Sequence, residues 1–218
     1  PVHSHTLYEE LKTNNMKGLE EIVVKQYGKE ILQGLGYLRT KKIIHADLKP
    51  ENIMVDLQGV VKIIDFGSSF FEKEENKMYM YIQSRYYRAP EIPLGLGVSC
   101  AIDMWSFACI LYELLTGKPL FRVGNEKKLI VAIVDILSIP TEDIIKRGRE
   151  SMRFFRFSKS NDSWVVIGKS NHSNSTQPRN PFTRINKNWG KVINFCLQWE
   201  PANRCLPNDL LSSDYFTP

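Results

Sequence analysis

The sequence predicts a mainly α fold with a few short β-hairpins. Three observations carry this. Leu19, Val23, Tyr27, Ile31, Leu35 and Leu38 recur at spacings of three and four, the apolar stripe of an amphipathic helix. Ala101 to Thr116 is apolar almost all round, which is the signature of a buried helix. Strand-like runs are short by comparison: Ile53-Met54-Val55 and Val60 to Ile64 flank Asp56-Leu57-Gln58-Gly59, which has hairpin-turn chemistry.

Taken in order, Leu7 to Lys12 reads as a short helix. The long helix that follows ends near Arg39, and Gly28, Gly34 and Gly36 weaken it locally. After the hairpin, Ser69 to Leu96 is polar and aromatic with little periodicity and reads as a long loop. Loops of that length inside compact domains are usually functional. Gly117 and Pro119 stop the buried helix. Glu126 to Leu137 is a second amphipathic helix, and Thr141 can N-cap a short one ending at Arg147. Ser158 to Asn186 is rich in Ser, Asn and other polar residues and reads as a surface insert. Trp189 to Trp199 and Pro207 to Leu211 are closing helices.

The 218 residues carry 29 Lys plus Arg against 24 Asp plus Glu, a net charge of +5, with 43% apolar and 24% charged residues. This is globular composition and excludes a disordered tail, a collagen-like fibre and a coiled-coil rod. Trp105 to Leu115 is interrupted by Glu113, and Leu129 to Ile139 by Asp135. Both fall short of the ~20 apolar residues of a membrane span, so no membrane partner is expected. Pro1-Val2-His3-Ser4-His5 lacks the apolar core of a signal peptide, and a chain beginning at Pro1 rather than Met reads as a piece of a longer one. Cys100, Cys109, Cys196 and Cys205 form no Cys-x-x-Cys pair and read as reduced thiols of an intracellular protein. The three Asn-x-Ser/Thr sequons carry little weight in that setting. The isoelectric point is near 9.0. Its cations are scattered, apart from pairs such as Lys41-Lys42 and Lys127-Lys128, so nucleic acid is not the expected partner.

The chemistry is concentrated in His45-Ala46-Asp47-Leu48-Lys49-Pro50-Glu51-Asn52, in Asp65-Phe66-Gly67 thirteen positions after Asn52, and in Ala89-Pro90-Glu91. Each triplet alone is weak. All three in this order, with two strands between the first and second, form a strong signal for phosphoryl transfer. That reaction needs an acceptor hydroxyl in line with the γ-phosphate and neutralisation of developing charge. Asp47 can accept the hydroxyl proton, and Lys49, two residues on, can meet the phosphate. Asn52 offers a neutral oxygen and Asp65 a carboxylate to Mg²⁺, brought together by the hairpin. Gly67 lets the chain turn sharply.

These motifs resemble the large, C-terminal lobe of a eukaryotic protein kinase, an α+β protein kinase-like fold, over essentially the whole chain. Tyr79-Met80-Tyr81-Ile82-Gln83-Ser84-Arg85-Tyr86-Tyr87-Arg88-Ala89-Pro90-Glu91 and Ala101-Ile102-Asp103-Met104-Trp105-Ser106 look like the dual-specificity tyrosine-regulated and homeodomain-interacting kinases. His45-Ala46-Asp47 and residues 86 to 92 look more like the homeodomain-interacting branch. Residues 79 to 85 and Asp65-Phe66-Gly67-Ser68-Ser69 look more like the tyrosine-regulated one, and the branch stays open.

The resemblance implies a kinase large lobe over residues 1–218, truncated at its N-terminus, with residues 158–186 as a surface insert. It implies ATP and Mg²⁺ as cofactors, protein Ser/Thr as substrate, a monomer, and the nucleus or cytoplasm as location. It makes Tyr81 an autophosphorylated activation-loop tyrosine whose phosphate Arg85 and Arg88 would hold. Most kinases carry Arg where this chain has Ala46, so a loop phosphate must be held elsewhere. Glu91 should pair with Arg204, and Asp103 should bond backbone N–H groups of the catalytic loop. His45 and Phe66 are structural by the same resemblance. Met54 would floor the adenine site, with Ile110 and Leu114 beneath it.

Several features depart from the family pattern. The chain has no Gly-rich phosphate loop, no Val-Ala-Ile-Lys lysine and no helix glutamate to pair with that lysine, and the small-lobe sheet is absent from it. Ala108 stands where relatives usually have Gly, and Pro93 replaces an apolar residue. Two readings therefore stand side by side: a catalytic kinase lobe, favoured by intact Asp47, Lys49, Asn52 and Asp65, and a catalytically silent kinase-fold fragment that binds proteins, favoured by the missing small-lobe groups. A DNA-binding reading rests on isoelectric point alone.

Overall fold

The computed structural model describes residues 4–72, 81–168 and 181–216. A short strand β1 (His5–Thr6) leads into α1 (Leu7–Thr13), whose start is fixed by a capping box between Thr6 and Glu9. The long helix α2 (Glu21–Thr40) follows and buries Val24, Tyr27, Ile31, Leu32, Leu35 and Leu38 on one face. Then come β2 (Ile43–Ile44), β3 (Ile53–Val55), β4 (Val61–Ile63) and β5 (Phe70–Phe71). β1, β3 and β4 form one antiparallel sheet, and β2 pairs with β5.

The helical body consists of α3 (Glu91–Leu94), α4 (Ala101–Thr116), α5 (Glu126–Leu137), α6 (Glu142–Arg147), α7 (Lys187–Cys196) and α8 (Pro207–Leu211). Every residue of α4 from Ala101 to Leu114 is buried, because α2 and α7 pack against it. Gly117 ends it in the left-handed region at φ +71°. A Cβ there would sit 1.9 Å from Met16 O, so the close approach of the chain before α2 requires glycine. No helix among the described residues is long and apolar enough to cross a membrane.

Three expectations change. Ser69 to Leu96 is not one loop: it contains β5, a 3-10 turn at Arg85–Tyr87 and α3. Strands of two residues are too short to show alternation, and the partner β2 lies distant in sequence. Residues 73–80, with Tyr79 and Met80, lie outside the described residues. The polar stretch read as an insert from 158 begins within a hairpin of β6 (Phe155–Ser158) and β7 (Ser163–Val166), where Phe157 faces Trp164 with their rings 5.7 Å apart. Residues 169–180, which hold two of the three sequons, lie outside the described residues. Thr141 occupies the N-cap of α6 but its side chain makes no capping bond, whereas Asn125 caps α5 by accepting the Lys128 N–H.

Candidate active site

The segment between β2 and β3 is held from below by α4. Asp103 is fully buried in the first turn of that helix, and its two carboxylate oxygens accept the N–H groups of His45 (2.8 Å) and Ala46 (3.1 Å). Burial pushes the Asp103 carboxyl up to about 7, and the two backbone donors act against that. Ala46 sits in the left-handed region at φ +63° with no exposed surface. His45 Nε2 bonds Ile64 O (2.9 Å) and its Nδ1 accepts the Asp47 N–H (3.3 Å). That pattern is the Nε2–H tautomer of a neutral ring, consistent with burial lowering the His45 pKa. The Phe66 ring stands edge-on to His45 at 5.1 Å.

Asp47 is gripped from two sides. Its Oδ2 accepts Lys49 Nζ at 2.7 Å and Asn52 Nδ2 at 3.2 Å. Its Oδ1 accepts the Ser84 hydroxyl at 2.8 Å and the Ser84 N–H at 3.1 Å. Lys49 Nζ also reaches Ser84 Oγ at 3.4 Å. Asn52 spends its amide N–H on Asp47, with a further bond to Asp47 O at 2.9 Å, which leaves its side-chain oxygen as a donor atom for a cation.

The β3–β4 pairing aligns Ile53 with Ile63, and the Ile64 N–H donates to Asn52 O at 2.9 Å. Asp65 therefore follows within reach of Asn52. Its backbone is left-handed at φ +61°, its Oδ1 accepts the Gly67 N–H at 3.2 Å, and its other oxygen carries no bond among the described residues. Asn52 and Asp65 each keep a side-chain oxygen for a cation, and an amide oxygen with a carboxylate is a donor set that fits Mg²⁺ completed by phosphate oxygens. Among the described residues no three His, Cys, Asp or Glu side chains gather as a metal cage of their own.

Met54 on β3 lies opposite Lys62, and both line an open depression with Leu57, Val60 and Ile64. Ile110 and Leu114 are fully buried in α4. Across the site, Tyr81 is 73% exposed and its hydroxyl accepts Arg85 Nη2 at 3.4 Å. Arg88 is placed differently from the expectation. Its guanidinium is 2% exposed and lies 4.5 Å beneath the Tyr81 ring. Its Nε and Nη2 donate to Gln83 O (3.2 and 2.7 Å), and its Nη1 to Glu126 Oε1 (3.0 Å). Each nitrogen of Arg88 is already engaged, so Arg85 is the cation presented to the hydroxyl.

Further down, Arg204 meets Glu91 in a two-pronged pair, Nη1–Oε1 at 2.6 Å and Nη2–Oε2 at 2.7 Å, with both side chains buried. Arg204 also donates to Ala101 O and Gln198 O.

Sequence reasoning missed four contributors. Ser84 fixes Asp47. Gln83, at φ +63°, bonds Ala46 O through its N–H and Ile102 O and Ser106 through its side chain. Glu126 partners Arg88, and Glu113 accepts the Tyr87 hydroxyl at 2.6 Å. Gln83 and Ser84 lay within a recognised motif, but nothing in it marks them as anchors. Glu113 showed only as a charge interrupting an apolar helix.

The protein kinase domain family model matches residues 2–216. The chain belongs to the protein kinase family. More narrowly, it is 37% identical to mouse dual specificity tyrosine-phosphorylation-regulated kinase 3 over 230 residues, covering 94% of this chain and 38% of that protein. It is 39% identical to human dual specificity tyrosine-phosphorylation-regulated kinase 4 over 209 residues, covering 94% of this chain and 40% of that protein. With the DYRK-family kinase pom1 of Schizosaccharomyces pombe it shares 37% identity over 221 residues, 97% of this chain and 20% of that one. The chain thus spans 20% to 40% of the length of these curated relatives. Their names fall in the tyrosine-regulated branch.

Proposed function

We propose that this chain supplies the catalytic lobe of a kinase that transfers the γ-phosphate of ATP to Ser or Thr of proteins. The observation that carries this reading is the fourfold grip on Asp47 by Lys49, Asn52 and Ser84. Four donors aim one carboxylate, and Oδ1 faces Ser84 at the edge of the segment where an acceptor peptide would lie. Asp47 takes the hydroxyl proton of the incoming Ser or Thr. Lys49 swings from Asp47 to the transferring phosphate, a short move for a flexible ammonium. Asn52 and Asp65 would hold Mg²⁺, which would neutralise charge on the phosphate oxygens. Met54, over Ile110 and Leu114, receives the adenine face.

Tyr81 is the site of autophosphorylation. Arg85 holds the phosphate, and Arg88 supports the tyrosine ring from below. The dual-specificity names of the relatives support this part of the reading. ATP and a protein substrate are the partners, the active form is a monomer, and the protein works in the nucleus or cytoplasm. The polar stretch 158–186 is a surface insert of the domain.

The test is a peptide phosphorylation assay on a polypeptide joining residues 1–218 to a kinase small lobe. Asp65→Asn should lose magnesium-dependent transfer while keeping its circular dichroism. Full activity in Asp65→Asn would remove the reading.

A further inference from the structure

Glu72 directly follows β5 and ties three separate stretches of chain. Its N–H donates to Lys42 O at 2.7 Å. Its Oε1 accepts the Cys100 N–H at 3.0 Å, and its Oε2 accepts the Cys100 thiol at 3.5 Å. Cys100 is the N-cap of α4 and makes no side-chain capping bond of its own. Glu72 supplies what that cap lacks: an acceptor, and a negative charge, at the positive end of a 16-residue helix. Burial first and the Glu72 carboxylate second push the Cys100 thiol up to about 12, so it remains an S–H donor.

The bonds close a ring. Lys42 accepts from Glu72, and Glu72 accepts from Cys100. One turn along α4 from Cys100, Asp103 accepts the N–H groups of His45 and Ala46. His45 leads back through β2 to Lys42. Lys42 itself is left-handed at φ +54°, a conformation that persists in a lysine only where its surroundings fix it. The fully buried Asp103 therefore has its position set at two points: by the apolar packing of α4, and by the anchor at the start of that helix.

We propose that Glu72 is a positioning residue for the catalytic loop: by capping α4 it fixes where Asp103 holds His45 and Ala46, and so where Asp47 points. Glu72 touches no substrate. The proposal deepens the reading of Asp47 as the proton acceptor and rests on it, but the ring itself can be tested without any phosphoryl transfer.

The experiment is amide hydrogen exchange, read residue by residue by NMR on the 218-residue chain, for wild type, Glu72→Ala and Glu72→Gln, alongside urea unfolding. Glu72→Ala should speed exchange at Cys100, His45 and Ala46 together, by about ten-fold or more, while Leu197 at the end of α7 keeps its wild-type rate. Glu72→Gln keeps an acceptor oxygen but loses the charge, so it should speed the same three amides by only about two- to five-fold. Acceleration confined to Cys100, or spread equally over every amide, would overturn the proposal. If Glu72→Ala does not fold, the same comparison in Glu72→Gln decides. A chain that shows the three-amide pattern while its small-lobe fusion transfers no phosphate would remove the reading of Asp47 and leave the ring standing.

Discussion

Arg204 and Glu91 stand 113 residues apart in sequence and meet as a fully buried, two-pronged ion pair. The pair joins the segment ahead of α8 to the start of α3, and Arg204 also bonds Ala101 O at the start of α4. Neither charge has water to return to, so the pair's worth shows when one partner is removed.

Arg204→Ala should therefore cost about 3–5 kcal/mol, because it leaves the Glu91 carboxylate buried and unpaired. An exposed pair would cost under ~1 kcal/mol. Urea unfolding of the variant and the wild type decides between them.

Glu113 gives a pH dependence. Burial pushes its carboxyl up to about 7, and the Tyr87 hydroxyl acts against that only in part. A carboxyl raised on folding contributes its full stability below the unfolded value near 4.5 and loses it as pH rises through about 7. Glu113→Gln keeps an acceptor for Tyr87 and removes the titration. It should flatten the fall in stability across that window and match or exceed wild type near pH 8, by at most about 3 kcal/mol. Urea midpoints at about pH 5 and 8 check this. A larger loss at the higher pH would mean that the site stabilises the carboxylate.

Much of this was legible in the sequence. The apolar stripe of α2, the all-apolar α4, the β3–β4 hairpin and the 126–137 helix all have lengths over which periodicity accumulates. β2 and β5 do not, and neither does the partner choice of Glu72, which depends on a pairing across the chain. Asp47, Lys49, Asn52 and Asp65 stood out because their order and spacing match a reaction. Ser84 did not, since a hydroxyl gains meaning only from the carboxylate it faces. Arg88 was misjudged for a related reason: it lies only seven positions from Tyr81 in sequence, while its bonding partners are Gln83 O and Glu126.

Tyr81 should be phosphorylated in a small-lobe fusion made in a host without tyrosine kinases, with Arg85 as the holder. Tyr81→Phe and Arg85→Ala should each lower peptide turnover. Mass spectrometry reads the first expectation, and a peptide assay the second. An active enzyme with no phosphate on Tyr81 would contradict both.

The 218-residue chain by itself should unfold cooperatively yet turn over no peptide. It contains Asp47, Lys49, Asn52 and Asp65, but no Gly-rich loop to hold the α- and β-phosphates. Orientation of reactants can be worth ~7–11 kcal/mol, so weak positioning of ATP is enough to silence it. Calorimetric titration with MgATP and a peptide assay on the lone chain check this. Turnover that vanishes in Asp47→Asn would show that the large lobe alone can orient the nucleotide.

Asp47 is proposed as the group that receives the hydroxyl proton. The direct measurement is kcat for peptide phosphorylation by the small-lobe fusion, wild type against Asp47→Asn. Asn keeps the shape and one acceptor oxygen, enough for the Ser84 side while the Lys49 bond is given up, so the fold and the affinity for MgATP should hold. kcat should fall about 100- to 10,000-fold, the usual range for loss of a general base. A kcat within a few-fold of wild type, with MgATP binding unchanged, would contradict it.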